Sequence, residues 1–128
     1  MANNVTNIAG VVTAITGTVV FGNATAVTIG TIPANAQIVA INIDTTTAFN
    51  AATTNTMTVG TSASAAAYVA STAVGPTGRA SVATTGVYSA WPTVGASDVT
   101  LTATFSQTGT AATTGAATIT VLYKSYAQ

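Results

Sequence analysis

The chain has no cysteine and no histidine, and only 3% of its 128 residues are charged. Each absence removes a class of chemistry. Without His or Cys there is no Ser-His-Asp triad, no Cys-His pair, and no imidazole or thiolate set for a zinc site. Missing cysteines also mean no disulfide staples, which agrees with folding in a reducing cytoplasm. The charges are Asp44, Arg79, Asp98 and Lys124, with a formal sum of zero. Soluble domains ordinarily carry about a quarter charged residues. Two basic residues cannot neutralise a phosphate track or build a polybasic patch, so neither nucleic acid nor a membrane surface is an expected partner.

Two aspartates are the minimum for the paired carboxylates of glycosidases and aspartic proteases. Asp44 opens "DTT", which lacks the glycine of the protease D-T-G, and both aspartates read as strand-end residues facing solvent or a cation. Calcium needs more oxygen ligands than they supply. A Ser/Lys dyad would have to use Lys124, which reads as exposed. No phosphate-cradling G-x-x-x-x-G-K-[ST] and no G-x-G-x-x-G after a strand occurs. No catalytic, cofactor-binding or metal-ligating residue is therefore assigned, no cofactor is expected, and the chain reads as a non-enzyme.

What the chain does have is threonine, alanine, valine and glycine. Hydrophobic residues make up 48%, and the mean hydropathy is +0.56. Disorder combines low hydrophobicity with high charge, the opposite balance. One domain of this length can bury roughly two-thirds of its unfolded surface. "DVTLTATF" (98–105) alternates with period two, placing Val99, Leu101, Ala103 and Phe105 on one face and threonines on the other, the mark of a half-buried strand. "ATITVLYKSY" (117–126) turns Ile119, Val121 and Tyr123 inward, and "AQIVAINIDTT" (36–46) does the same with Val39, Ile41 and Ile43.

Shorter strands are predicted at 11–16, 18–22, 25–32, 56–61 and 86–91. Turn residues separate the runs at Gly22-Asn23, Pro33-Ala34-Asn35, Gly75-Pro76-Thr77-Gly78, Pro92 and Gly109. About eight short strands at near-regular spacing give an all-β fold, an antiparallel sandwich or barrel. The Ala-rich 62–71 reads as a loop with a helical turn. Phe21, Phe105 and Trp91 are the expected large core side chains. The amino-terminal run is broken by Thr13, Thr16 and Gly17 and reads as strand rather than export signal. Residues 1–10 form a possible arm ahead of a single domain over 11–128.

Sheet faces coated with threonine are solvated, but threonine does not protect sheet edges, which proteins usually guard with Lys or inward charges. Low net charge also removes the repulsion that keeps monomers apart. A folded protein of this composition is expected to be covered by partners. Candidate interface residues are Trp91, either a core residue or a binding anchor, and Arg79, either solvated or paired across subunits with Asp44 or Asp98. Threonine arrays for ice binding need regular repeats on a flat face, and the T-x-T steps here are scattered.

The order of segments is similar to a group of small tailed-bacteriophage virion proteins of the head-decoration or cement type. The matching residues are Ile32 to Ala36 ("IPANA"), Thr47 to Asn50 ("TAFN"), Thr54 to Thr61, Tyr68 to Ala70 ("YVA") and Val99 to Tyr123. The resemblance spans residues 30 to 126, and its motifs are turns, strands and a hairpin. This chain departs from the group in carrying fewer charges near 63–67 and in the last strand. The resemblance implies a jelly-roll sandwich, present in many copies and bound to the major capsid protein on the capsid exterior. It also implies assembly in the host cytoplasm, with self-association as a dimer or trimer. The alternatives are a tail or head-fibre component contacting glycans and a secreted adhesin-like subunit that pairs strands with its neighbours.

Overall fold

The computed structural model describes residues 11–125. Eight strands run through them: β1 (Val12–Val20), β2 (Val27–Ile32), β3 (Gln37–Thr47), β4 (Thr54–Gly60), β5 (Val69–Ala73), β6 (Gly78–Arg79), β7 (Val99–Thr108) and β8 (Ala116–Lys124). They pair antiparallel in two four-stranded sheets, ordered β1-β8-β3-β6 and β2-β7-β4-β5. Every connection except β4–β5 crosses between the sheets, so the chain winds as two Greek keys into a jelly roll, the fold the resemblance implied.

The alternating residues meet between the sheets. Ile41, Ile43, Met57, Val59, Leu101, Ile119 and Val121 are fully buried, with Phe49 and Phe105 stacked beside them at a centroid distance of 4.4 Å. Two glycines draw the sheets together at the corner where β1 passes β2. A Cβ on Gly17 would lie 3.1 Å from the Ile29 Cα, and one on Gly30 would lie 3.2 Å from Ile15. Each glycine thus makes room for the isoleucine of the opposite strand.

The structure departs from the sequence reading in five places. The segments 11–16 and 18–22 join into the single strand β1, because Gly17 serves close packing rather than a turn. In β3 the pairing skips between Ile38 and Ala40, so Val39 is an extra, bulged residue that is exposed while Ile38 turns inward. Residues 86–91 form a 3₁₀ turn at Tyr88–Ala90, not a strand. Of the Ala-rich stretch, only the first part is a turn, and 69–73 is strand β5. Phe21 lies on the surface, 39% exposed, just past the end of β1.

Candidate assembly surface

The four candidate residues do not converge. Arg79 lies on the two-residue strand β6, directly opposite Asp44 on β3. Its Nε donates to Asp44 Oδ1 at 2.7 Å, and its Nη2 to Oδ2 at 3.1 Å, a two-pronged pair made within one chain. The geometry removes the reason to expect Arg79 across a subunit boundary, since its carboxylate is already at hand. Exposure of both side chains leaves the pair mostly solvent-screened, so it registers a short edge strand more than it stabilises the fold.

The Arg79 hydrogen bond, with its charge adding to it, holds the Asp44 carboxyl below its ordinary value near 3.8. A lowered folded pKa contributes stability that is complete above the unfolded value and disappears as pH falls through the folded one. The chain has no histidine and a single other aspartate. Its melting temperature is therefore expected to stay level from about pH 8 to about pH 5 and to decline only below about pH 4. Calorimetry across that range checks this; a drop of more than ~3 °C between pH 7 and pH 5 would contradict it.

Asp98 also has structural work. Its Oδ1 accepts the N–H of Ala34 at 2.9 Å, tying the β2–β3 turn to the loop before β7. That turn places Asn35 at φ +63°, and the Asn35 N–H donates to the Gly95 carbonyl at 2.7 Å. The turn expected at Pro33-Ala34-Asn35 is thus held by two bonds to the loop before β7.

Trp91 is buried. Its Nε1–H donates to the Tyr68 carbonyl at 3.0 Å, and the Tyr88 ring meets it edge-on at 4.5 Å. The Tyr88 hydroxyl in turn donates to the Val82 carbonyl at 2.9 Å, while the rest of its ring stays exposed. Of the two roles open to Trp91 in the sequence, the fold gives it the core one.

Part of the threonine coat is self-engaged. Hydroxyls pair across strands at Thr31–Thr100 (3.3 Å) and Thr54–Thr108 (2.7 Å). Others donate to backbone carbonyls, Thr46 to Ala116 and Thr114 to Ala48. Part of the outer face of the second sheet is also covered by the chain itself. The turn after β4 folds over Gly60, where a Cβ would overlap the Ser64 carbonyl, and Thr102 beside it is buried and donates to the Gly60 carbonyl. Among the described residues the surface therefore offers no charged face, and a depression beside Phe21, Asn23, Ser106 and Gln107 mixes polar and apolar lining. The surface also offers weakly polar sheet and a set of exposed apolar side chains: Val11, Val12, Val20, Phe21, Val39 and Tyr88. Sequence reasoning missed these, because alternation marks which residues share a face but not which strand lies at a sheet edge or where a bulge falls.

The fold defines the chain as an eight-stranded jelly roll. No protein-family model and no curated protein matches its sequence. Among solved structures it is similar to a chain of the capsid asymmetric unit of cyanophage Pam1, with a TM-score of 0.69 and 21% identity over 97% of this chain and 91% of that one. The likeness extends through the whole described sandwich, with the fold retained at low sequence identity.

Proposed function

We propose that the protein is a non-catalytic structural component of a phage virion that binds the outer surface of the capsid lattice and reinforces it. The observation that carries this reading is the end-to-end match of its jelly roll to a chain of a phage capsid asymmetric unit. The surface supports it. Four charged residues leave an exterior whose contacts are apolar and backbone in kind, and such contacts are insensitive to ionic screening. In this reading the direct partner is the major capsid protein, copies also associate with one another, and the protein resides on the capsid exterior after assembly in the host cytoplasm. Both aspartates have structural partners, which suits a protein without a catalytic step. The possible arm at residues 1–10 lies outside the described residues.

The test is the copy number of the protein relative to the major capsid protein in purified virions, measured by quantitative mass spectrometry. A ratio near one, or a simple lattice fraction such as one-third, is the expected result. A few copies per particle would replace this reading with a tail or fibre role, and absence from the particle would end it.

A further inference from the structure

The four sheet edges are not alike. β6 is two residues long and carries a charge, Arg79. Beyond β5, the Ala70 N–H donates to the Thr85 carbonyl and Val69 bridges to Gly86, so the following loop covers that edge. β2 is six residues long and bulged between Thr28 and Gly30. β1 is different: nine residues without charge, proline or a register shift against β8, its neighbour in the sheet. These are the devices that ordinarily blunt a free edge, and among the described residues β1 has none of them.

The hydrogen-bonding groups of β1 that no described residue takes up can be placed. The Phe21 N–H donates to the Gly115 carbonyl, extending the β1–β8 register by one pair. Backbone groups alternate sides along a strand. The odd-numbered residues of β1 therefore bond to β8, and Val12, Ala14, Thr16 and Thr18 turn their N–H and C=O outward. Val20, next in that series, is closed off by its own turn: its N–H donates to Asn23 Oδ1 at 2.7 Å, and its carbonyl accepts the Asn23 N–H at 2.9 Å. All four outward-turned residues are exposed.

We propose that β1 pairs antiparallel with β1 of a second copy about a two-fold axis at Thr16, joining two four-stranded sheets into one. The occupant is a second copy because the strand is complementary to itself. In this register the backbone ladder runs through Ala14 opposite Thr18 and Thr16 opposite itself, and at its ends the side chains of Val12 and Val20, and of Val11 and Phe21, lie opposite one another across the two copies. Val11, Val12, Val20 and Phe21 are four of the six large apolar side chains exposed among the described residues. The two-fold at Thr16 sets these four against one another at both ends of the ladder. Moving the axis by one residue sets Val12 against a threonine or past the strand's end. A two-fold also brings every charge on its axis against its own copy, and β1 carries none. A foreign strand could use the free edge, but it would not account for apolar ends that match each other. The inference specifies the self-association in the virion reading, yet it is measured on the isolated chain, so either can fail while the other holds.

The experiment is sedimentation velocity with light scattering on the full chain over a concentration series. The wild type is expected to reach twice the chain mass of 12.5 kDa. In Thr16→Pro the lost N–H is one that points away from β8, so the intrachain ladder stays whole while the centre of the pairing is broken. Its dimer dissociation constant is expected to rise at least ~30-fold with the circular dichroism spectrum unchanged. Thr16→Lys places like charges face to face on the axis, and its weakened dimer is expected to recover in high salt. Val39→Lys, at an exposed apolar residue on another strand, is expected to remain dimeric. A wild type that is monomeric on the order of 100 µM, or trimeric, would overturn the proposal. So would a folded Thr16→Pro that still dimerises like wild type. Should Thr16→Pro fail to fold, a Thr16→Lys dimer as tight as wild type at low salt overturns it instead.

Discussion

Replacing Gly115 by alanine is expected to lower the unfolding free energy by about 3–5 kcal/mol. Gly115 ends the β7–β8 connection at φ +146°, a region that residues with a Cβ rarely enter. A Cβ there would also overlap the Phe49 ring. That ring has little room to retreat: Phe49 is 4% exposed and stacked on Phe105 at 4.4 Å. The backbone is equally constrained, because the Gly115 carbonyl accepts the N–H of Phe21 at 3.0 Å where β1 ends. Backbone strain and overpacking therefore fall on one residue, and neither can be relieved without moving β1 or β7. Urea unfolding checks the magnitude, and the melting temperature should fall by roughly 10–15 °C. Gly22→Ala is the matched control, since a Cβ at Gly22 meets nothing within 4 Å; its effect should stay within about 0.5 kcal/mol. A loss below ~1 kcal/mol for Gly115→Ala would show that Phe49 can move, and that this end of the core is looser than its packing implies.

The same residues show what the sequence could and could not disclose. Strict alternation made β7 and β8 legible, because a side-chain period of two is a property of the strand itself and survives whatever packs against it. Leu101, Phe105, Ile119 and Val121 are all buried as that pattern requires. Elsewhere the deciding contact is long-range. Gly17 resembles a turn residue when read in order, and only the approach of Ile29 from the opposite sheet shows that it permits close packing. The bulge at Val39 changes the inward set of β3 by one residue, and a bulge is set by the neighbouring strand, here β8, rather than by local composition. Residues 86–91 have the apolar content of a strand, but their pairing with β5 stops at the single bridge Val69–Gly86, and the rest turns as a 3₁₀ helix instead.

The candidate surface was less legible than the fold for a related reason. Asp44 and Arg79 are 35 residues apart in sequence, and the hairpin-like pairing of β3 with β6 brings them face to face. A sequence read without that register leaves a lone arginine looking for a partner elsewhere. Shortage of charge, in contrast, needed no structure to interpret. It predicted a protein whose exposed edges require cover, and the fold locates the longest such edge at β1.

Trp91 tests how far core and surface are separable here. Trp91→Ala is expected to cost about 3–5 kcal/mol, the range for removing a buried tryptophan. The indole is 8% exposed, packs edge-on against Tyr88 and donates to the Tyr68 carbonyl beside the start of β5. Losing it removes packing and one of the two donors to that carbonyl, leaving only the Val87 N–H at 2.9 Å, so the cover over the end of the core should loosen along with the 3₁₀ turn. Trp91→Phe is the milder change. It keeps an aromatic ring near Tyr88 while deleting the N–H and part of the indole's buried bulk, for an expected cost of about 1–3 kcal/mol. A binding anchor would give the opposite pattern: unchanged monomer stability in both variants, with association alone impaired. Circular dichroism melts report stability, since the substitutions remove the protein's one tryptophan and with it the fluorescence signal. Sedimentation at matched concentration reports association. Because Trp91 lies away from β1 in sequence and has its hydrogen bond inside the chain, Trp91→Phe is expected to self-associate as the wild type does at temperatures where both are folded. Lost association in a folded Trp91→Phe would move the interface from the β1 edge to the surface formed by Tyr88 and the 3₁₀ turn.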